Sequence, residues 1–169
     1  MQLKREITIN TPTRQVWEIL GPGFGDAFHW ASSVSQSTAT IDGKRPDGAP
    51  CSGRVCQTTI GSVKESILEY DAHSHRIAYA AVSDKMPGFV RHMVARWSIR
   101  AVAPSKAHVT MTLNVDIAAP FNILMGPMMW LQMGGIMDKT MGELKHYTEQ
   151  GEPHPRKVKA MAKAHPKAA

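Results

Sequence analysis

Alternating apolar and polar residues predict β-strands through most of the first 117 residues. The opening stretch "LKREITINTP" alternates in this way and predicts a first strand, and the pair Thr11 and Pro12 then begins a helix over "PTRQVWEIL". The glycines of "GPGFG" end that helix, and a short second helix or turn follows over "DAFHW". Between residues 32 and 117, six stretches have strand periodicity and are joined by short turns such as "GS" and "APSKA". Six successive strands with short links predict an antiparallel sheet.

A long helix is predicted from Pro120 to about Gln150. Its second half has one apolar side at helical spacing, opposite a charged side. That apolar side consists of Met133, Met137, Met141, Leu144 and Thr148. Gly151 follows, in the position of a helix C-cap.

The first half of this helix, "LMGPMMWLQMGGIM", holds five methionines and no charge. A membrane span needs about 20 apolar residues, whereas the uncharged run from 121 to 137 is seventeen long and includes Asn122 and Gln132. The stretch therefore predicts a buried helix instead of a span. Because methionine adapts to irregular shapes, the run indicates one wall of a pocket for apolar ligands, with an ordinary methionine-rich core as the alternative.

The net charge of +6 belongs to the end of the chain. Five of the twenty basic residues lie in 153–169, so the first 152 residues carry fifteen basic and fourteen acidic groups. The nearly balanced body does not indicate nucleic-acid binding. The segment 153–169 is rich in lysine and proline and is predicted to be a flexible basic tail, able to contact anionic surfaces.

The cysteines and the first residues indicate a cytoplasmic protein. "MQLKREITIN" enters a strand directly, which is not the pattern of a signal peptide. Cys51 and Cys56 lie five residues apart on opposite faces of a predicted strand, a spacing that suits neither a disulfide nor a metal pair. We therefore expect reduced thiols, no metal and no cofactor.

The order of the elements resembles the SRPBCC superfamily, which includes START domains, the birch-pollen allergens and the polyketide cyclase/dehydrase and lipid-transport proteins. The residues that carry the resemblance are "ITINTPTRQVWEIL" with its Val-Trp pair, Trp30, "VKESILEYDAHSHRIAY", "ARWSI" and "ELKHYTEQG". The resemblance covers residues 1–152. It implies an α+β helix-grip fold, in which a curved antiparallel sheet of about seven strands wraps around the long C-terminal helix in the order β-α-α-β6-α. It also implies a cavity between sheet and helix.

Strand alternation then predicts which side chains face that cavity. We expect the apolar residues of the last three strands to point inward and to meet the methionine-rich helix. The predicted ligand-binding residues are Trp30, Tyr79, Met93, Trp97, Met111, Leu113, Leu124, Met128, Leu131 and Gly135.

Few ionisable groups are predicted inside. Glu65 is ambiguous: it is either a buried carboxylate or, as we favour, a rim glutamate paired with an arginine. Arg91 is expected at the inner rim, and His29 next to Trp30 either faces the cavity mouth or lies in a turn. Glu65, Arg91, His29 and Tyr79 are therefore the candidates if the protein is an enzyme, and no catalytic residue is assigned.

Three functions fit this sequence. The first, which we favour, is a carrier or sensor that binds a hydrophobic small molecule or lipid. The second is a polyketide cyclase or dehydratase type of enzyme, which would need acid–base groups in the same cavity. The third is a peripheral lipid-transfer protein whose helix start and basic tail make transient contact with a membrane.

Overall fold

The sheet is antiparallel and contains all the predicted strands. The computed structural model describes residues 1–59 and 61–164. Within these residues the strands are β1 Gln2–Ile9, β2 Val34–Thr40, β3 Gly53–Thr58, β4 Gly61–Asp71, β5 Arg76–Ser83, β6 Val90–Ala103 and β7 Lys106–Ile117. They form one sheet in the order β1-β7-β6-β5-β4-β3-β2. Strands that follow one another along the chain are neighbours in this sheet, except that β1 pairs with β7, for example at Leu3 and Leu113.

The helices before residue 151 also lie close to the predicted ranges, and one further helix was not predicted. They are α1 Thr13–Leu20, a 3-10 helix Pro22–His29, α2 Phe121–Leu124, α3 Gly126–Gln150 and α4 Pro155–Ala164. Gly151 ends α3 in the left-handed conformation, with a φ of 75°. That conformation favours glycine, so the predicted C-cap is confirmed.

The concave face of the sheet carries the core. Tyr79, Trp97 and Val109 are buried on adjacent strands, as alternation predicted. The second half of α3 covers this face with Met137, Met141 and Leu144, which are also buried. The sheet therefore wraps around a long C-terminal helix, and the molecule has the predicted helix-grip fold.

The first half of the methionine-rich stretch is exposed, whereas the sequence predicted a buried helix. The exposed fractions of Ile123, Leu124 and Leu131 are 80%, 77% and 71%. Met125 separates α2 from α3. Close packing of α3 against the sheet begins only near Gly134, which is buried. Among the described residues, no helix is long and apolar enough to cross a membrane.

The basic tail is ordered over most of its length, which corrects the prediction of a flexible segment. Residues Pro155–Ala164 form α4. Lys157 is only 1% exposed, and its Nζ donates a hydrogen bond to the carbonyl oxygen of Val34 at 2.6 Å. The prediction from composition failed because it considers only the apolar surface that a segment can bury, whereas an ion pair and a hydrogen bond keep this helix in place. Residues 165–169 of the predicted tail lie outside the described residues.

Candidate functional site

A cavity of about 430 Å³ lies between the concave face of the sheet, the 3-10 helix and α3. This volume is in the range of small-molecule sites, about 300–1,000 Å³. Most of the lining residues are apolar, and the largest of their side chains are aromatic rings and methionines. They include Phe24, Trp30, Tyr79, Met93, Trp97, Met111, Met133 and Met137.

The strand residues of the predicted wall lie in the cavity, whereas the helix residues do not. The wall contains Trp30, Tyr79, Met93, Trp97, Met111 and Leu113. Leu124, Met128, Leu131 and Gly135 are exposed and lie outside it. The helix instead contributes Met133, Ile136, Met137, Thr140 and Glu143. The prediction failed because a run that is apolar on all sides does not reveal which side faces the sheet.

An ion pair between Arg54 and Glu65 lies in the cavity wall. The two residues are directly opposite each other on β3 and β4, so the pairing of the strands brings their side chains together. The Arg54 Nε donates to Glu65 Oε2, and the side chains are only 10% and 13% exposed. Glu65 is thus paired with an arginine, as we favoured, but inside the cavity instead of at its rim.

The Arg54 guanidinium is also held by the 3-10 helix. Its Nη1 donates to the carbonyl oxygen of Phe24 at 2.5 Å, and its central carbon lies 4.1 Å from the centre of the Phe24 ring. Burial alone would lower the pKa of Arg54, but the Glu65 carboxylate and other neighbours outweigh burial and raise it. Arg54 is therefore a fixed cation in this wall.

Tyr79 places a neutral hydroxyl beside this ion pair. The Tyr79 oxygen accepts a hydrogen bond from Trp97 Nε1 at 3.3 Å. Burial and the nearby Glu65 carboxylate raise the pKa of Tyr79 to about 12. The phenol therefore keeps its proton at neutral pH.

Glu143 organises the opposite wall, where α3 meets the segment before β2. Its carboxylate accepts hydrogen bonds from the Ser32 amide at 2.8 Å and the Ser32 hydroxyl at 2.6 Å. The same carboxylate forms an ion pair with Arg156 Nε of α4 at 3.1 Å. Since Ser32 and Glu143 both line the cavity, this network ties α4 to the cavity wall.

Two of the predicted candidates are outside the cavity. Arg91 is exposed, because the pairing of β6 with β7 shifts register between Val90 and His92. His29 is exposed and lies against Phe28, with ring centres 4.0 Å apart and the ring planes tilted. The expectation that Arg91 lies at the inner rim is therefore corrected. For His29, the alternative outside the cavity mouth, which the sequence left open, is the one that the structure has.

The sequence reading missed Arg54 and Glu143. Alternation in "SGRVCQTTI" puts Arg54 and Cys56 on one face, and this pattern would have indicated an arginine near Glu65. Glu143 had no such signal, since it was grouped with the charged side of the helix. Cys51 and Cys56 are free thiols, as expected. Among the described residues, no group of acidic, histidine or cysteine side chains is arranged to hold a metal ion.

We predict that Arg54→Met lowers the free energy of unfolding by about 3–5 kcal/mol, because it leaves the Glu65 carboxylate buried without its partner. Replacing both partners, as in Arg54→Met with Glu65→Leu, removes the unpaired charge and is expected to recover most of this loss. Urea denaturation measures both variants. The matched control is Arg96→Met, whose exposed pair with Glu69 at 4.0 Å contributes about 1 kcal/mol or less. A double variant as unstable as Arg54→Met alone would contradict the prediction.

The fold is shared with proteins of known structure. The chain superposes on a START superfamily protein from Mycobacterium smegmatis with 17% identity and a TM-score of 0.69, covering 88% of this chain and 97% of that one. Truncated norcoclaurine synthase from Thalictrum flavum is 9% identical, with a TM-score of 0.65 and coverage of 89% and 94%. The di-domain ARO/CYC BexL from the BE-7585A biosynthetic pathway is 10% identical, with a TM-score of 0.68 and coverage of 88% and 47%. At these identities the likeness shows the fold alone.

Sequence comparison identifies the family. No curated protein sequence matches the chain. Residues 1–149 match the family model described as polyketide cyclase / dehydrase and lipid transport. This match covers nearly all of the chain, including the seven described strands and all but the last residue of α3, and leaves α4 outside it. The protein therefore belongs to the polyketide cyclase/dehydrase and lipid-transport family of the SRPBCC superfamily.

Proposed function

We propose that the protein binds a hydrophobic small molecule or lipid in the cavity between the sheet and α3, as a carrier or sensor. The observation that supports this function best is the apolar wall of the 430 Å³ cavity. Burial of a ligand against such a wall is favourable by about 25 cal/mol per Å² of apolar surface. The buried charged residues of the wall are paired, Arg54 with Glu65 and Glu143 with Arg156 of α4, which suits binding without chemistry. Lys139 also lines the cavity but is exposed to solvent.

An enzyme of the cyclase type is the second candidate. It is supported by the position of Glu65, Arg54 and Tyr79 in one cavity wall, and by the family, whose description includes cyclases. In such a reaction a carboxylate removes a proton next to a ketone while hydrogen-bond donors stabilise the enolate oxygen. The contact between Glu65 and Arg54 disfavours this role, because Glu65 Oε2 already accepts a hydrogen bond from Arg54.

Transient contact with a membrane stays a prediction. The exposed side chains Ile123, Leu124 and Leu131 at the beginning of the α2–α3 segment support it, since exposed apolar patches are typical of interaction surfaces.

We predict that the neutral dye N-phenyl-1-naphthylamine binds in the cavity and that Ala95→Phe weakens its binding at least tenfold. Ala95 is buried and lines the cavity, so a larger side chain fills the space of the ligand. Dye fluorescence measures the affinity, and thermal unfolding verifies that the variant is folded. The matched control is Ala101→Phe on the same strand, where Ala101 is exposed and the affinity should not change. Equal affinities of both variants and the unmodified protein would place the dye elsewhere and contradict the proposal.

The enzymatic candidate is tested with 2-acetylnaphthalene in deuterated buffer. If Glu65 acts as a base, its carboxylate takes a proton from the methyl carbon beside the carbonyl, the electron pair forms the enolate, and deuterium is returned. We expect instead that the protein does not accelerate the exchange of methyl hydrogen for deuterium beyond its rate in buffer alone. The loss of the methyl NMR signal measures this rate. Acceleration that is lost in Glu65→Gln and retained in Glu69→Gln, an exposed glutamate of the same strand, would establish the enzyme and overturn our expectation.

A further inference from the structure

The cavity wall offers one hydrogen-bond donor, the Tyr79 hydroxyl, that the described part of the protein leaves without an acceptor. The indole of Trp97 can only donate, so its contact with Tyr79 uses the phenol oxygen as an acceptor. Among residues 1–59 and 61–164 this is the side-chain hydrogen bond that Tyr79 makes, and its own hydroxyl hydrogen has no acceptor there. Tyr79 is only 8% exposed and lines the cavity, so its hydrogen is available to a group that enters the cavity.

Arg54 places a fixed positive charge beside the same hydroxyl. Its Nε and Nη1 donate to Glu65 and Phe24, and its central carbon lies 5.5 Å from the centre of the Tyr79 ring. A buried donor without an acceptor is costly, and a ligand oxygen that accepts from the Tyr79 hydroxyl would remove that cost.

The charge balance of the wall decides which oxygen fits. The Arg54 cation is already neutralised by Glu65, so a carboxylate ligand would have to lie next to the Glu65 carboxylate or displace it. Glu143 is compensated by Ser32 and Arg156 and gives a ligand cation no free partner. Lys139 of α3 also lines the cavity but is exposed to solvent, so the buried part of the wall favours an oxygen that carries no charge.

We propose that the ligand is an uncharged apolar molecule with a carbonyl or hydroxyl oxygen, which accepts a hydrogen bond from the Tyr79 hydroxyl. This inference rests on the proposed binding function and narrows it. It disfavours fatty-acid anions and pure hydrocarbons as ligands. Tyr79 is then a specificity-determining residue.

A matched series of naphthalenes tests this inference by displacement of N-phenyl-1-naphthylamine at pH 7.5. The probes are 2-acetylnaphthalene, its hydrocarbon counterpart 2-isopropenylnaphthalene and the anion 2-naphthoate, which share one ring system and nearly one shape. We expect the ketone to bind about tenfold more tightly than the hydrocarbon, as one hydrogen bond in a dry site allows, and the carboxylate to bind most weakly.

Tyr79→Phe should abolish the preference for the ketone while leaving the affinity for the hydrocarbon within threefold. The matched control is Tyr70→Phe, since Tyr70 packs against Trp17 outside the cavity wall and should keep the preference. If Tyr79→Phe does not fold, the affinities of the three probes for the unmodified protein still test the inference.

The outcomes separate this inference from the function on which it rests. If the hydrocarbon displaces the dye as well as the ketone does, the cavity binds apolar molecules but the inference is wrong. Tightest binding of 2-naphthoate would also overturn it. If neither the dye nor any naphthalene binds, the proposed function fails and the inference with it.

Discussion

The arrangement of the cavity depends on the buried ion pair between Arg54 and Glu65. This pair joins three elements, because Arg54 on β3 contacts Glu65 on β4 and the carbonyl of Phe24 in the 3-10 helix. A lone charge in such a wall would be costly, and pairing removes most of that cost. The pair thus fixes the 3-10 helix against the sheet. The cavity beside it is mainly apolar and contains a neutral polar group, the Tyr79 hydroxyl.

A second polar network organises the other wall and connects it to α4, which follows the residues that match the family. Glu143 of α3 accepts a hydrogen bond from Ser32 and forms an ion pair with Arg156 of α4. Lys157 adds a buried hydrogen bond to Val34, and Val34 itself lines the cavity. Helix α4 therefore stabilises the segment before β2, although it lies outside residues 1–149, which match the family.

The sequence predicted the sheet and the second half of α3 well and the first half of α3 poorly, for a physical reason. A strand has two faces, so alternation in β5, β6 and β7 was enough to direct Tyr79, Trp97 and Met111 inward. In a helix, a face is revealed by charged residues on the opposite side, and the run around Met128 and Leu131 has none. Lys157 was missed because its burial depends on Val34, a partner distant in sequence, whereas the alternation of β3 would have revealed Arg54.

The central claim is that an apolar molecule lies between the sheet and α3, and a crystal structure with 2-acetylnaphthalene tests it most directly. The account predicts the naphthalene ring between Trp97 and Met133 in the cavity wall, with its ketone oxygen about 2.5–3.0 Å from the Tyr79 oxygen. A cavity filled by the protein's own side chains, with the ketone bound elsewhere on the surface, would contradict it.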